Sequence, residues 1–590
     1  MSAPTTPLEA GPAAPAPVRR PGATRQMLRS PLGVVVVVVV LWFSAAFLVL
    51  PNLSLLQTTF APEGRLTLTA FDRLLSSERA LRSLRNSVLL AATLAVTVNV
   101  VGIFIVLVTG WFRVRARRVL WLGFATTFIY GGIVLAAGYS FIYGRYGFVT
   151  NALARSWPDL DRDWFSGFVA VVLVMTFATT TNHMLFLSAA LASIDHQSIE
   201  AARLMGASTA TILRRIVLPA LRPMVFAVTV LTFLTGLGAL TAPLVLGGED
   251  FQTVAPMILT FARSTSSRDV AALLAVLLGL ATIALLAVMN RVERGGTYFA
   301  VAKVAVPIAP QAFQTRWGAV VVQVLAWALW AVYVFPVLCA VVFSFVDARA
   351  IMSGSIGAED LTLEHWTTVL TSADALGPFV VSVVYSGLAS LVVVFGLVLV
   401  ARSLSRWRGW LSSVIEYVLH IPWILPTILI ALGLVMTYDE PRLLVVGQVL
   451  TGTVVLLGVA YVVVKIPFTL RLLKAAFAAV PDELEDAARI LGAGQLTTVR
   501  RVVLPLIAPT MAAVTALNFT SLLDDYDAAV FLYHPLFEPL GIAIKQSTEG
   551  EANVQSMGIT FVYTVLLMLV QGLVLWLVYG RGSTGARRRG

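Results

Sequence analysis

A single cysteine and a charged fraction of only 12% are the first constraints on this 590-residue chain. With Cys339 alone, an intrachain disulfide and a cysteine-built metal site are both excluded. So little charge, set against 58% hydrophobic positions, leaves too little polar surface to coat a water-soluble globule. The string Gly-x-x-x-x-Gly-Lys-Ser/Thr is also absent, so a phosphate-cradling loop of that kind has to come from another polypeptide. His196, His365 and His534 fall between apolar runs, in expected loops, without metal-ligand spacing; no metal site is expected.

What fills the chain is apolar runs. Crossing a bilayer takes about 20 apolar residues per helix, and twelve such runs lie near 32–50, 86–110, 119–142, 167–192, 223–246, 269–290, 317–346, 379–401, 411–437, 449–470, 509–533 and 559–579. The reading is an all-α polytopic membrane protein. A net charge of +11 invites nucleic acid as a partner, but the cations sort by loop instead. With the N-terminus cytoplasmic, Arg19, Arg20, Arg25, Arg29, the run 113–118, Arg402, Arg406, Arg408 and the tail Arg587 to Arg589 all face inward. Both termini are then cytoplasmic, the partner surface is lipid, and no nucleic acid is expected. Residues 1–30, rich in Pro and Ala, read as a disordered tail rather than a cleaved signal.

A polar string is written twice. EAARLMGASTATILRRIVLP, Glu200 to Pro219, returns as DAARILGAGQLTTVRRVVLP, Asp486 to Pro505, at a constant offset of 286 residues. About half the positions from Ala201 to Pro223 are identical in the second copy, so the chain is an internal duplication. Six spans per half put both copies in the same orientation, as parallel repeats about an axis along the membrane normal. The expected division is 31–290 and 317–580, joined by a cytoplasmic linker 291–316 and followed by a basic tail 581–590.

Each copy spells helix, turn, helix. Ala201, Ala202, Leu204 and Met205 are expected to form an apolar, mostly small face, matched by Ala487, Ala488, Ile490 and Leu491. Gly206 and Gly492 can take the left-handed conformation that ends a helix. Ser208 or Thr209 can cap the next helix, for which Gly494 and Gln495 are poorer. Leu218-Pro219 and Leu504-Pro505 are expected to begin the following span.

Polar groups within the spans are costly and point to function. Asp524, Asp525 and Asp527 stand in the eleventh run; on a helix Asp524 and Asp527 share a face. Two readings stay open: a cation pathway, or the outer end of a broken span whose acids are hydrated or cap a short helix. The ninth run holds Pro422 and Pro426, each removing a helix hydrogen bond; the third offers Gly131 and Gly132 at the corresponding place. Breaks at matching positions in two repeats point to a translocation path, with close helix packing as the other reading of the glycines. Glu416 and His420, four apart, are expected to pair, and His183 beside Asn182 to hydrogen-bond between helices.

The string Glu-Ala-Ala, a Gly further on and a closing Leu-Pro resembles the cytoplasmic EAA loop in permease subunits of binding-protein-dependent ATP-binding-cassette importers. Two such loops in a twelve-span duplication look like the fused permeases of ferric-iron and thiamine uptake. The resemblance implies a type I importer fold and a coupling helix in each copy: Glu200, Ala201, Ala202, Gly206, Leu218 and Pro219 in the first, and Asp486, Ala487, Ala488, Gly492, Leu504 and Pro505 in the second. Asp486 departs from the family's Glu and shortens its reach.

It further implies a homodimeric ATPase on the cytoplasmic face that binds the ATP and Mg, an extracytoplasmic solute-binding protein, and a bacterial inner-membrane location. This chain would then be no enzyme and carry no cofactor of its own. Ferric iron is the first cargo the resemblance implies, with thiamine, phosphonate, polyamine or another small solute behind it. A secondary transporter of the major-facilitator type also has twelve spans, but its Gly-Asp-Arg-Gly-Arg loop between spans two and three is replaced here by TGWFRVRARR.

Overall fold

The structure, a computed structural model, describes residues 31–62, 64–294, 309–406, 409–548 and 554–580. The expected tails 1–30 and 581–590 and the middle of the expected linker lie outside the described residues. Within them the chain is helical, with isolated bridges as the only β pairing. Among the described residues ten helices are long and apolar enough to cross a membrane, and two bent pairs, each counted as one span, bring the total to twelve.

In chain order these are α1 (Gly33–Phe60), α2 (Glu78–Trp111), the bent pair α3 (Arg117–Phe128) and α4 (Gly132–Ser156), α5 (Gly167–Ala192), the short loop helix α6 (His196–Leu204), α7 (Thr209–Leu237) and α8 (Thr265–Met289). The second half repeats the order: α9 (Arg316–Phe343), α10 (Ala373–Ser405), the bent pair α11 (Trp410–Ile424) and α12 (Thr427–Tyr438), α13 (Val454–Ala478), the loop helix α14 (Asp482–Ile490), α15 (Val499–Leu523) and α16 (Ser556–Val578).

Packing follows the duplication: α2 lies against α5 and α7, as α10 does against α13 and α15. Lipid offers no hydrophobic drive between helices, so small residues and polar contacts hold them. At Gly236 of α7 a Cβ would sit 2.6 Å from the Ala91 Cα of α2, an approach open only to glycine. Beside it, Asn99 Nδ2 donates to Thr229 Oγ1 at 2.7 Å, and Asn99 Oδ1 meets His183 Nε2 at 3.1 Å. The interhelical bond expected of His183 is thus made, with Asn99 as its partner.

The first span of each half crosses over to the other half. α1 packs on α12 and α8, where the buried Tyr438 hydroxyl donates to the Ala46 carbonyl at 2.7 Å. α9 packs on α3, where Trp330 Nε1 donates to the Val119 carbonyl at 3.0 Å. The two bent pairs are thereby clamped from the opposite half.

Both pairs turn by 107°. The first bend is carried by Gly132 at φ +55, the left-handed region that a β-carbon disfavours. The second is carried by Pro426, extended at ψ 143 and unable to donate an N–H. Pro422 falls instead in the first turn of the helix Ile421–Ile424, where its missing N–H costs nothing.

Two of the expected spans move at both ends. The spans around 223–246 and 509–533 stop earlier, at Leu237 and Leu523, and each is followed by a short helix, Thr241–Leu246 and Ala529–Leu532. They also start earlier, at Thr209 and Val499, so Pro219 and Pro505 sit inside a continuous helix rather than at its beginning. The reason is a wide turn at Leu213–Val217 and again at Val499–Val503. It accommodates the proline ring and its missing donor without ending the helix.

Candidate functional site

In the first loop, Asp195 starts α6 by accepting from the Gln197 N–H at 3.0 Å and the Ser198 hydroxyl at 2.9 Å. Those bonds hold its carboxyl below the ordinary aspartate range. Glu200 faces Arg203 at 3.1 Å. The helix ends at Gly206, φ +81, where the Ala207 N–H returns to the Ala202 carbonyl at 2.9 Å. Gly492, φ +80, ends α14 the same way, with Ala493 N–H to the Ala488 carbonyl at 3.0 Å. Ser208 caps the helix that follows, accepting from Thr211 at 3.1 Å.

The expected apolar face divides in two. Ala202 and Ala488 turn into the protein, while Ala201 and Ala487 stay exposed. Leu204 and Met205 are 90% and 82% exposed, and Ile490 and Leu491 86% each, which leaves two apolar tips standing out of the body. Asp486 is exposed beside the second tip.

The two loop helices are anchored by different chemistry. In α6, Ile199 is fully buried against Trp111, Leu187 and Leu191. Its counterpart in α14 is Glu485, gripped by Arg402 through two hydrogen bonds of 3.0 and 3.1 Å. A further anchor comes from the chain between the halves. Gln311 pairs its backbone with Trp111 and Arg113, each at 2.8 Å, and its side chain accepts from Arg203. Neither the Glu485 nor the Gln311 anchor is legible in the sequence, because each joins residues far apart in it.

Where the two bends meet lies a cavity of about 620 Å³. Thr127 and Gly132 of the first bend, Leu425 and Pro426 of the second, Thr179 of α5 and Asp527 form parts of its wall. Gly131 precedes α4 as its cap residue, and Pro422 packs near Phe47 and Pro51 of α1; neither is in that wall. Thr241 and Asp527 are 286 residues apart, the repeat offset itself, and Thr241 Oγ1 donates to Asp527 Oδ1 at 2.9 Å. Residues related by a twofold can touch only at the axis, so the cavity stands on it.

Asp524 and Asp527 do not share a helical face, because α15 ends at Leu523, before them. Each of the three acids lies instead beside the first residues of a different helix, and one of them, Asp525, takes up backbone N–H groups there. Asp525 accepts from Ala528 and Ala529 at 3.1 and 3.3 Å and caps Ala529–Leu532. Asp527 holds Thr241, the first residue of Thr241–Leu246. Asp524 Oδ2 would lie 3.1 Å from a Cβ on Gly132, the first residue of α4. Lys465 of α13, a cation inside an apolar run, donates to Ser521 at 2.6 Å and lies within electrostatic reach of Asp524 and Asp525. The offset maps Lys465, Asp524 and Asp525 onto Thr179, Gly238 and Ala239, so the first half is uncharged there.

The pairing expected between the Glu416 and His420 side chains is not made. Glu416 takes Lys474 as its ion partner, and His420 Nδ1 meets the Glu416 backbone carbonyl at 2.7 Å. His196 and His365 are helical rather than in loops; the buried His365 bonds the Val346 carbonyl at 3.2 Å. Among the described residues no group of histidine, cysteine and acids gathers as a metal site.

The sequence matches the family described as "Binding-protein-dependent transport system inner membrane component" twice, over residues 73–294 and 392–580. It is 39% identical over 549 residues to a probable ABC transporter permease protein, y4fN, of Sinorhizobium fredii, covering 93% of this chain and 96% of that one. A ferric transport system permease protein, FbpB, of Actinobacillus pleuropneumoniae is 23% identical over 80% of this chain and 67% of its own length. A sulfate transport system permease protein, CysT, of Salmonella typhimurium is 30% identical over 29% of this chain and 62% of its own. Two matched stretches, twelve spans and a structure that repeats at the matching offset lead to one statement: the chain belongs to the binding-protein-dependent transport system inner membrane components, as a duplicated, multi-pass ABC transporter permease.

Proposed function

We propose that this permease forms the path of an importer and is driven from outside itself by a homodimeric ATPase that docks on the two loop helices. The observation that carries the reading is the pair of exposed apolar tips, Leu204-Met205 and Ile490-Leu491, each ahead of a left-handed glycine and each on the same kind of loop. Two equivalent grooves on a dimeric motor require two equivalent plugs, and duplication supplies them in one chain. The distribution of arginine supports a cytoplasmic position for both loops and both termini. ATP and Mg belong to the motor, and a solute-binding protein would deliver cargo to the opposite face. The repeats are taken as 31–290 and 317–580 with the linker 291–316 between them.

Movement of the motor subunits would be passed through α6 and α14 to the helices that line the axial cavity, in a cycle of alternating access. Gly132 and Pro426 carry the bends of that path, with Gly131 and Pro422 flanking them, and Asp527 supplies the charge in its wall, with Asp524 and Asp525 next to it in the chain. Ferric iron is the cargo that the relatives' names put first, because ferric permeases are among those that span most of this chain, although the single carboxylate in the cavity wall weighs against a bare ferric ion there. Relatives named for sulfate and for aminoethylphosphonate keep other small solutes in the test.

Co-purification tests the docking. The full chain, co-expressed with a candidate ABC ATPase subunit from the same organism, is expected to retain that subunit. Replacing Leu204 and Met205 by Asp, or Ile490 and Leu491 by Asp, is expected to release it while the chain stays in the membrane. Retention by a variant with all four replaced would end the docking role.

A further inference from the structure

The lining of the axial cavity restricts the charge of what passes through it. Seven threonines stand in that wall, and six of their hydroxyl protons are already committed within the protein. Thr179, Thr235 and Thr282 donate to carbonyls of their own helices at 2.7, 3.0 and 2.9 Å. Thr127 donates to the Phe124 carbonyl at 3.1 Å, Thr181 to Thr127 Oγ1 at 2.8 Å, and Thr241 to Asp527 at 2.9 Å. A hydroxyl that has spent its proton offers only oxygen lone pairs. Among the described residues, the donors left on side chains in the wall are Thr427, the Asn182 amide and the Trp423 indole; Lys, Arg and His are absent from it, and its one charged group is Asp527.

Such a surface accepts far more than it donates. An oxyanion such as sulfate can only accept hydrogen bonds and needs donors on all sides, and here it would also meet a carboxylate. Helix starts are the remaining source of donors. Two of the three that border the cavity, those of α4 and of Thr241–Leu246, already face Asp524 and Asp527. A bare ferric ion fails for the opposite reason. Hard cations take roughly six oxygen ligands, several of them carboxylates, whereas a single carboxylate lines this wall.

Given the importer reading on which it rests, we infer that the axial cavity takes a small organic cation carrying N–H donors, an ammonium or guanidinium, with Asp527 as its counter-charge. Thr241 is a positioning residue: it holds Oδ1 of Asp527 and leaves the other oxygen for the cargo. The threonine oxygens of α5, α7 and α8 accept the remaining N–H groups. A volume of about 620 Å³ admits an ion of metabolite size with room for water.

Isothermal titration of the full chain in lipid nanodiscs tests this with ethanolamine and agmatine as probes. Ethylene glycol serves as the uncharged match, with sulfate and ferric citrate as the competing chemistries. The amines are expected to bind saturably and the other three not. Asp527→Asn is expected to weaken the amines at least tenfold. Thr179→Val and Thr235→Val, which keep shape and charge, are expected to weaken them several-fold, and they keep the test open if the Asn variant does not fold.

Equal binding of glycol, preference for sulfate or ferric citrate, failure of both amines, or amine affinity unmoved in all three variants would overturn the inference. None of those outcomes touches the docking of the ATPase. Loss of docking would in turn leave the titration standing, so the two failures are distinguishable.

Discussion

Thr241 Oγ1 donates to Asp527 Oδ1 across 2.9 Å, and the two residues occupy the same place in the two repeats. The duplication has kept the position and divided the chemistry, a hydroxyl on one side of the axis and a carboxylate on the other. The three acids that begin at Asp524 therefore have separable duties, and their variants are expected to behave differently. Asp527→Asn should slow uptake about tenfold or more with little loss of stability. Asp525→Ala should chiefly destabilise the chain, by about 1 kcal/mol, because it removes a helix cap. Uptake by reconstituted vesicles and a thermal melt, run on both variants, read the difference.

Gly206 and Gly492 stand at φ +81 and +80 with nothing within 4 Å of the place a methyl would occupy, so the cost of a side chain there is conformational and not steric. Alanine at either should cost roughly 1–2 kcal/mol locally and fray the end of the loop helix. Proline at 206 should also remove the N–H that donates to the Arg203 carbonyl at 2.8 Å, and proline at either position should uncouple ATP hydrolysis from uptake. Hydrogen exchange over 196–207 and 482–493, beside the hydrolysis-to-uptake ratio, measures both effects.

Arg402 and Glu485 are mostly buried, at 14% and 16% side-chain exposure, and share two hydrogen bonds. Removing either partner should loosen α14 by roughly 1–3 kcal/mol, and removing both should cost less than the sum. A double-mutant cycle read by exchange protection of 482–490 checks this. The first loop should be indifferent, since its anchor is Ile199 in an apolar cluster.

Gly236→Ala would place a methyl 2.6 Å from the Ala91 Cα. Backbone cannot yield there as a flexible side chain would, so α2 and α7 must separate, at an expected cost of about 1–3 kcal/mol. Gly377→Ala, where nothing lies within 4 Å, is the matched control. Melting temperature in a single detergent compares the two.

Much of the architecture can be read from residue order because the signals are local. Apolar runs count the spans, and a polar string written twice reveals the duplication. Gly206 and Gly492 mark helix ends because few other residues take that backbone conformation. What cannot be read depends on contacts between distant segments. Apolar residues resume at Ala528 after the acids, so one run reads straight through them and the end of α15 at Leu523 is hidden, and with it the assignment of Asp524, Asp525 and Asp527 to three separate helix starts. Pro219 looks like a boundary until a wide turn absorbs it. Glu416 lies four residues from His420, yet it pairs with Lys474, which reaches it from another helix. Lys465 does carry a local signal, a cation in an apolar run, but only the fold sets it beside Asp524 and Asp525.

The central claim is that force enters through two tips on one face. The direct measurement is uptake by proteoliposomes that hold this chain, its ATPase and its binding protein, with Leu204, Met205, Ile490 and Leu491 all replaced by Asp. ATP-dependent uptake is expected to fall to background while the chain remains folded in the bilayer. Uptake at the unaltered rate, or uptake driven by an ion gradient with no ATP present, would contradict it.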